Sequence, residues 1–247
     1  MPRFAFIGLL FWVSHGVLPQ DKGASEGHSA ISAHMAWEDL LQDHVRDDGR
    51  VDYKGFLRDK QRLDSYLETL ALQPPEQDWS TPARMAYYIN LYNAGTVSLI
   101  LENYPVNSIR DIDRPWAKER IQVGDKRLSL GDIEHKILRK MGDARIHFAI
   151  NCASVSCPKL PAYAFTESGI ESQLNQAARG FVNDPKRNAI SPDHAEVSKI
   201  FKWFRSDFKA EGGSLVEYLN RFLDEPVPKG TTVKFLPYDW ALNDINP

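Results

Sequence analysis

The sequence predicts an α+β fold: a single mixed domain with a long central helix, a small antiparallel or mixed sheet with hairpins, and surrounding helices. Two observations carry this expectation. Segments with helical apolar spacing alternate with short extended runs, but without the regular strand-helix-strand rhythm of a doubly wound sheet. One segment, "PARMAYYINLYNAGTVSLILENY", is apolar nearly all round and so belongs at the centre of a core.

Taken in order, "SAHMAWEDLLQDHV" spaces Met35, Leu40, Leu41 and Val45 as one helical face, and Asp48-Gly49 then turns the chain into a short extended piece. A second helix runs through Phe56, Leu63, Tyr66, Leu67 and Leu70. Ser80-Thr81-Pro82 opens the long helix with a cap residue and a proline in its first turn, and Pro105 limits it to about Tyr104. "RIQVGDKRLSL" reads as a hairpin about Gly124-Asp125, followed by a helix from Asp132 to Lys140. "ARIHFAIN" alternates as a strand, with Ile146, Phe148 and Ile150 on one face and Arg145, His147, Ala149 and Asn151 on the other. Thr166 caps a helix to about Val182, "NAISPDHAEVSKIF" is a second hairpin, and Ser214 caps a last helix before the strand "TVKFLPYDW".

The expected organisation is a signal peptide over residues 1–16, a flexible polar segment over 17–33 and the domain over 34–247. The first of these rests on Arg3, the apolar run Phe4 to Val13, and the small residues Ser14 and Gly16. That run is too short to span a bilayer, so export to a periplasm or beyond the cell is expected, with an uncleaved N-terminal anchor as the alternative. No stable membrane span remains after cleavage. A hydrophobic content of 43% suffices for a core without covalent help. The net charge of −3, with no basic block, gives no basis for a nucleic-acid partner. A small molecule or a peptide is the ligand class left, its identity unknown, and no cofactor is indicated.

Several polar residues stand where a plain core would not place them. On a wheel of about 100° per residue, Glu134 falls in the middle of the apolar face of "LGDIEHKILRKM", so it should be buried and in need of a donor. His135 projects nearly opposite. Arg145 and His147 are the expected partners of Glu134, a buried ion pair with Arg145 being the purely structural form of that expectation. Asn90, Asn93 and Thr96 form one polar stripe on the long helix, suited to holding a loop backbone or orienting a reactive group.

Both cysteines lie in "RIHFAINCASVSCPKLP". Cys152 comes where the strand pattern stops, and a thiol near a histidine and polar groups can have the lowered pKa of a nucleophile. His147 is the nearest base in sequence, but five extended residues span about 16 Å, so contact would require the chain to fold back at Asn151. His135 is a second candidate. A third is His194 oriented by Asp239, which would follow the order of papain-like enzymes, although "SPDHAE" reads as an exposed turn.

The strings "YYINLYNA", "LSLGDIEHKILR", "RIHFAINCASVSCPKLPAYAF", "IFKWFRSDF" and "FLPYDWALN" together resemble the family of the domain of unknown function 547 (DUF547), from about Trp37 to Asn243. The resemblance implies that Tyr92, Asn93, Ala94, Glu134, His135, Arg145, His147, Cys152, Ser154, Cys157 and Pro158 occupy emphasised motif positions. It implies no general activity.

Three readings follow. The first is a thiol-dependent hydrolase or acyltransferase, with Cys152 as nucleophile, His147 or His135 as base, Glu134 in the site and Asn93 or a backbone N–H as oxyanion donor; Arg145, Asn90, Asn151, Ser154, Cys157 and Asp239 support it. The second is a non-catalytic exported binding or scaffold domain stapled by a Cys152–Cys157 disulfide. The third is a metal site built from His147, Cys152 and Cys157, which the Cys-x4-Cys spacing disfavours. Of the two cysteines, Cys152 is expected to be reduced and reactive, and Cys157 a buried, inert partner.

Overall fold

In the computed structural model, which describes residues 23–246 with side chains from residue 34 on, the chain is an α+β domain of several helices and two small sheets. Helix α1 (Gly23–His44) begins within the stretch expected to be a polar tether, while residues 1–22 lie outside the described ones. Its inner face is Trp37, Leu40 and Leu41; Met35, two residues from Trp37 and hence on the far side, is exposed rather than part of the core face. Asp52 caps α2 (Tyr53–Arg58) by accepting from the Gly55 N–H. Helix α3 (Lys60–Leu72) turns Leu63, Tyr66 and Leu70 inward, with Tyr66 stacked on Trp37 at 5.7 Å.

Helix α4 (Thr81–Asn103) starts as expected, with Ser80 accepting from the Ala83 N–H and Pro82 in the first turn. It is buried along most of its length and touches α1, α2 and α3, which explains why its sequence lacks a polar face. The first hairpin, β1 (Ile121–Val123) and β2 (Lys126–Leu128), turns at Gly124-Asp125 as expected, with Val123 paired to Lys126.

Two expectations change in the next segment. The helix from Asp132 is not a regular one: Asp132–Ile137 winds as a wider π-turn, in which the Leu138 N–H reaches the carbonyls of both Ile133 and Glu134, and it tightens into a 3₁₀ turn over Leu138–Met141. The stretch read as a strand is also a 3₁₀ turn, Ala144–Phe148, capped by Asp143, whose side chain accepts from the Arg145 N–H. The alternation misled because it had no solvent side to report. Residues 146 to 151 are all buried, wedged between two hydrophobic clusters. Ile146 and Ile150, four apart, face the cluster of α1 to α4, and Phe148 faces the second cluster.

That second cluster gathers helix α5 (Ile170–Val182), the hairpin β3 (Ala189–Ile190) and β4 (His194–Val197), and the short helices α6 (Ile200–Trp203), α7 (Arg205–Gly212) and α8 (Leu215–Asn220). Strand β5 (Thr232–Phe235) closes the sheet in parallel beside β4, in the order β3-β4-β5. The chain then returns to the first cluster. Residues 239 to 243 run beside the loop after Asn151, with Val155 N–H donating to Ala241 O (2.9 Å) and Asn243 N–H donating to Ala153 O (3.2 Å). Two distant sequence strings, one with both cysteines and one reading "FLPYDWALN", are thereby laid side by side.

Candidate functional site

Cys152 sits at the seam between the two clusters, on a loop whose backbone is tied by three side chains. The Asn93 amide donates to the Ala149 carbonyl at 3.0 Å and accepts from the Asn151 N–H at 2.8 Å. Asn151 in turn accepts from Ala153 N–H (2.8 Å) and donates to Pro158 O (2.7 Å), closing the loop on itself. Arg187 donates to the carbonyls of Cys157 and Val155 from outside. These bonds hold Ala153 at φ +59°, a left-handed conformation that costs a residue with a Cβ about 1 kcal/mol.

The loop aims the two thiols at each other. Cys152 N–H donates to Cys157 Sγ (2.9 Å), and the Cys157 S–H donates to Cys152 Sγ (2.9 Å), so both are free thiols sharing one hydrogen bond. Cys152 Sγ also contacts the hydroxyls of Ser154 (3.2 Å) and Tyr238 (3.4 Å); Ser154 donates to the Tyr238 oxygen (3.1 Å), which leaves the Tyr238 proton free to point at the sulfur. The Cys157 S–H, with these hydroxyls, holds the Cys152 pKa below the ordinary thiol range in spite of burial. Cys157 goes the other way: burial, and then the adjacent Cys152 sulfur, raise it well above that range. Cys157 is buried and Cys152 half-buried. Tyr238→Phe should therefore raise the Cys152 pKa from about 7 and slow its alkylation by iodoacetamide at pH 7 by about fivefold for one pKa unit, which a pH series of labelling rates measures.

Cys152 opens into a cavity of about 270 Å³. One wall is aromatic: Trp203, Tyr238 and Trp240 lie with ring centres 4.6 to 5.6 Å apart, and Trp116 meets Trp240 edge-on at 5.7 Å. Glu134 and His135 reach the cavity from the π-turn, which brings both side chains to one side where a regular helical wheel set them apart. Glu134 is buried, as expected, but Arg145 and His147 are not its partners. The nearest donor is the Tyr92 hydroxyl at 3.5 Å, and His135 Nδ1 lies 3.8 Å away. Burial, followed by the Cys152 sulfur, pushes the Glu134 pKa up to about 7 against the opposing pull of Arg139 and Tyr92. Arg145 instead pairs with Asp143 and Glu171.

His147 lines the cavity, stacked on Phe204 at 3.8 Å, and its Nε2–H donates to Asp207 at 2.9 Å. Burial lowers its pKa to about 4, outweighing Asp207. Asp207 is held well below the carboxylate range chiefly by Arg139, which grips it with two bonds of 2.7 and 2.8 Å. The ion pair is thus Arg139 with Asp207, and His147 is a neutral donor to it. Among the described residues no hydrogen bond joins His147 to Cys152, and the His147 Nδ1 is buried without a partner.

The remaining candidates fall elsewhere. Asn90 clamps both backbone groups of Phe165, and Asn93, with both amide ends engaged behind the loop, is a clamp and not a free oxyanion donor. Asp239 shapes a turn, accepting from Ala241 N–H through its side chain, and His194 is exposed beside Ser191. No papain-like order arises. His147, Cys152 and Cys157 do not converge as metal ligands either: among the described residues the one group of three ligand atoms within 4.8 Å of one another is Asp43, His44 and Asp59, which Arg62 already bridges. Larger hollows, of about 380 Å³ beside α5 and about 460 Å³ beside α3, are lined by neither cysteine nor histidine.

Sequence reasoning missed Arg139, Asp207, Tyr238 and the tryptophans. The signal available was the aromatic density of "IFKWFRSDF" and "FLPYDW" in segments otherwise polar.

Fold and cavity together define an α+β domain with a polarised cysteine facing an aromatic cavity. Residues 76–182 match the model of the family described as "Protein of unknown function, DUF547". The matched stretch holds α4, Glu134, both cysteines and α5, while Asp207, Tyr238 and Trp240 lie beyond it. No curated protein and no solved structure matches the chain. No described helix is long and apolar enough to cross a membrane.

Proposed function

We propose that the protein is a thiol-dependent hydrolase or acyltransferase with Cys152 as its nucleophile. The observation that carries this reading is the pair of donors converging on Cys152 Sγ, from Cys157 and Tyr238, in a cysteine that faces a cavity. Such donors stabilise the thiolate directly, so no histidine need touch the sulfur. The thiolate attacks an amide or ester carbonyl, the C–N or C–O bond breaks, and the leaving group takes a proton from solvent water. Water or an acceptor alcohol or amine then attacks the thioester and gives its proton to His135, half-exposed at the cavity, which releases the acyl group, frees the Cys152 thiolate and lets His135 return the proton to solvent. The cavity of about 270 Å³ accommodates one small group of the substrate, with the rest outside. An exported setting, resting on the run Phe4 to Val13, belongs to the same reading.

A second reading rests on the 2.9 Å between the sulfurs: oxidation would bond them and leave a binding or scaffold domain. Iodoacetamide treatment of unreduced protein followed by mass spectrometry separates the two. Label on Cys152 alone, together with hydrolysis of p-nitrophenyl esters that Cys152→Ser reduces at least a thousandfold, supports the thiol enzyme. An unlabelled pair two hydrogens lighter establishes the staple and removes the mechanism.

A further inference from the structure

We propose that the cavity beside Cys152 receives a cationic nitrogen group of the substrate, an alkylammonium or guanidinium, seated between the Glu134 carboxylate and the aromatic wall. The inference rests on the reading of Cys152 as a nucleophile and names the substrate class that reading leaves open.

The first observation is an unmatched acid. Glu134 is 93% buried, since only 7% of it is exposed, yet its best contact is the 3.5 Å approach of Tyr92. A carboxylate in such a place ordinarily has a cation in contact. The nearby guanidinium, Arg139, is spent on Asp207 with two short bonds, and among the described residues neither lysine nor arginine lines the cavity. Cys152 adds a second centre of negative charge on the same side. A positive ligand supplies what the protein withholds.

The second observation is the aromatic wall. Trp116, Trp203, Tyr238 and Trp240 line the same cavity, and aromatic rings carry a negative quadrupole on their faces that attracts a cation and is the usual means of recognising quaternary ammonium groups. The wall already shows this affinity, because the Arg110 guanidinium lies 5.3 Å from the Trp240 ring centre. An anionic group would meet Glu134, the polarised sulfur and electron-rich rings with no counter-charge. A neutral group would leave Glu134 unmatched.

Choline and 3,3-dimethyl-1-butanol have the same shape and differ in one charge, and calorimetric titration of each into the full chain tests the proposal. Choline is expected to bind at least tenfold more tightly, with ethylguanidinium as a second cation to rank the two nitrogen classes. The preference should vanish in Glu134→Gln and weaken in Trp240→Leu. Thermal unfolding without ligand shows whether each variant is folded, and wild type alone decides the sign. Equal or tighter binding of the neutral alcohol, or no binding of either cation, overturns the proposal. Cys152→Ser should keep the preference and lose ester hydrolysis, so hydrolysis that survives in Cys152→Ser with choline binding intact would overturn the mechanism and leave the cation site standing.

Discussion

Replacing Asn93 by alanine is expected to cost about 4 kcal/mol of stability and to loosen the Cys152 loop. The side chain is almost fully buried and bonds two backbone groups at once, the Ala149 carbonyl and the Asn151 N–H. Truncation strands both in a dry interior, where each unsatisfied group costs about 1–3 kcal/mol. The second consequence concerns reactivity. Asn151 is the residue that closes the loop, through Ala153 and Pro158, and its own backbone is fixed by Asn93. Once freed, the loop no longer holds Cys157 against Cys152, and the Cys152 pKa rises toward that of an ordinary thiol. Urea unfolding measures the first effect and the pH dependence of alkylation the second. Asn90→Ala is the control: it strands the two backbone groups of Phe165 by the same mechanism, but should leave the Cys152 pKa unchanged. Equal pKa shifts in both variants would show that general loosening, and not the clamp, governs the thiol.

The second large effect is a pH dependence in which Glu134 opposes two histidines. His147 and His34 are buried and neutral, and burial lowers each to about 4. Between pH 6.5 and about 4 the unfolded chain binds a proton at each that the native state refuses, so their contribution to stability is fully present above 6.5 and lost as pH falls. Glu134 has the reverse sign. Its pKa rises from 4.5 to about 7 on folding, so the native state holds a proton that the unfolded chain releases, and stability is lost as pH rises through that window. From pH 4.5 to 6.5 the unfolded chain binds two extra protons and the native state one, a net of one. At 1.36 kcal/mol per pH unit for each proton, stability should fall by roughly 3 kcal/mol on acidification across those two units. His135, lowered by burial but half-exposed, adds a small increment of the same sign. In Glu134→Gln the opposing group is gone. The fall should steepen to roughly 5 kcal/mol, and the variant should outlast wild type increasingly as pH rises from 4.5 to 7. Parallel curves for the two proteins would show that Glu134 is ionised throughout, paired with a group other than those seen around it.

How much of this was legible beforehand divides along a physical line. Local signals sufficed wherever a feature depends on neighbours in sequence: the cap and proline that start α4, the all-round apolar composition that buries it, and the Gly124-Asp125 turn of the first hairpin. The burial of Glu134 was also readable, because a residue's angular place among its helical neighbours is a local property even when the helix is widened to a π-turn. The resemblance of the cysteine strings to one family was legible too, and is shown over residues 76–182.

Tertiary structure alone decided the rest. Alternation indicates a strand only when one face meets water, and residues 146 to 151 are covered on all sides by two clusters, so their periodicity carried no information about backbone shape. The partners of charged groups are set by which elements meet in space. Arg145 found Asp143 and Glu171, and His147 found Asp207 sixty residues away, because the second cluster folds α7 against the turn at Ala144–Phe148. Tyr238 reaches Cys152 from 86 residues away, carried there by backbone bonds between residues 153–156 and 239–243. The sequence by itself determined which residues carry titratable groups or groups costly to bury, since that is chemistry of the side chain. Which of them face one another depends on long-range closure of the chain, and pairwise contacts of that kind leave no periodic trace in a single sequence.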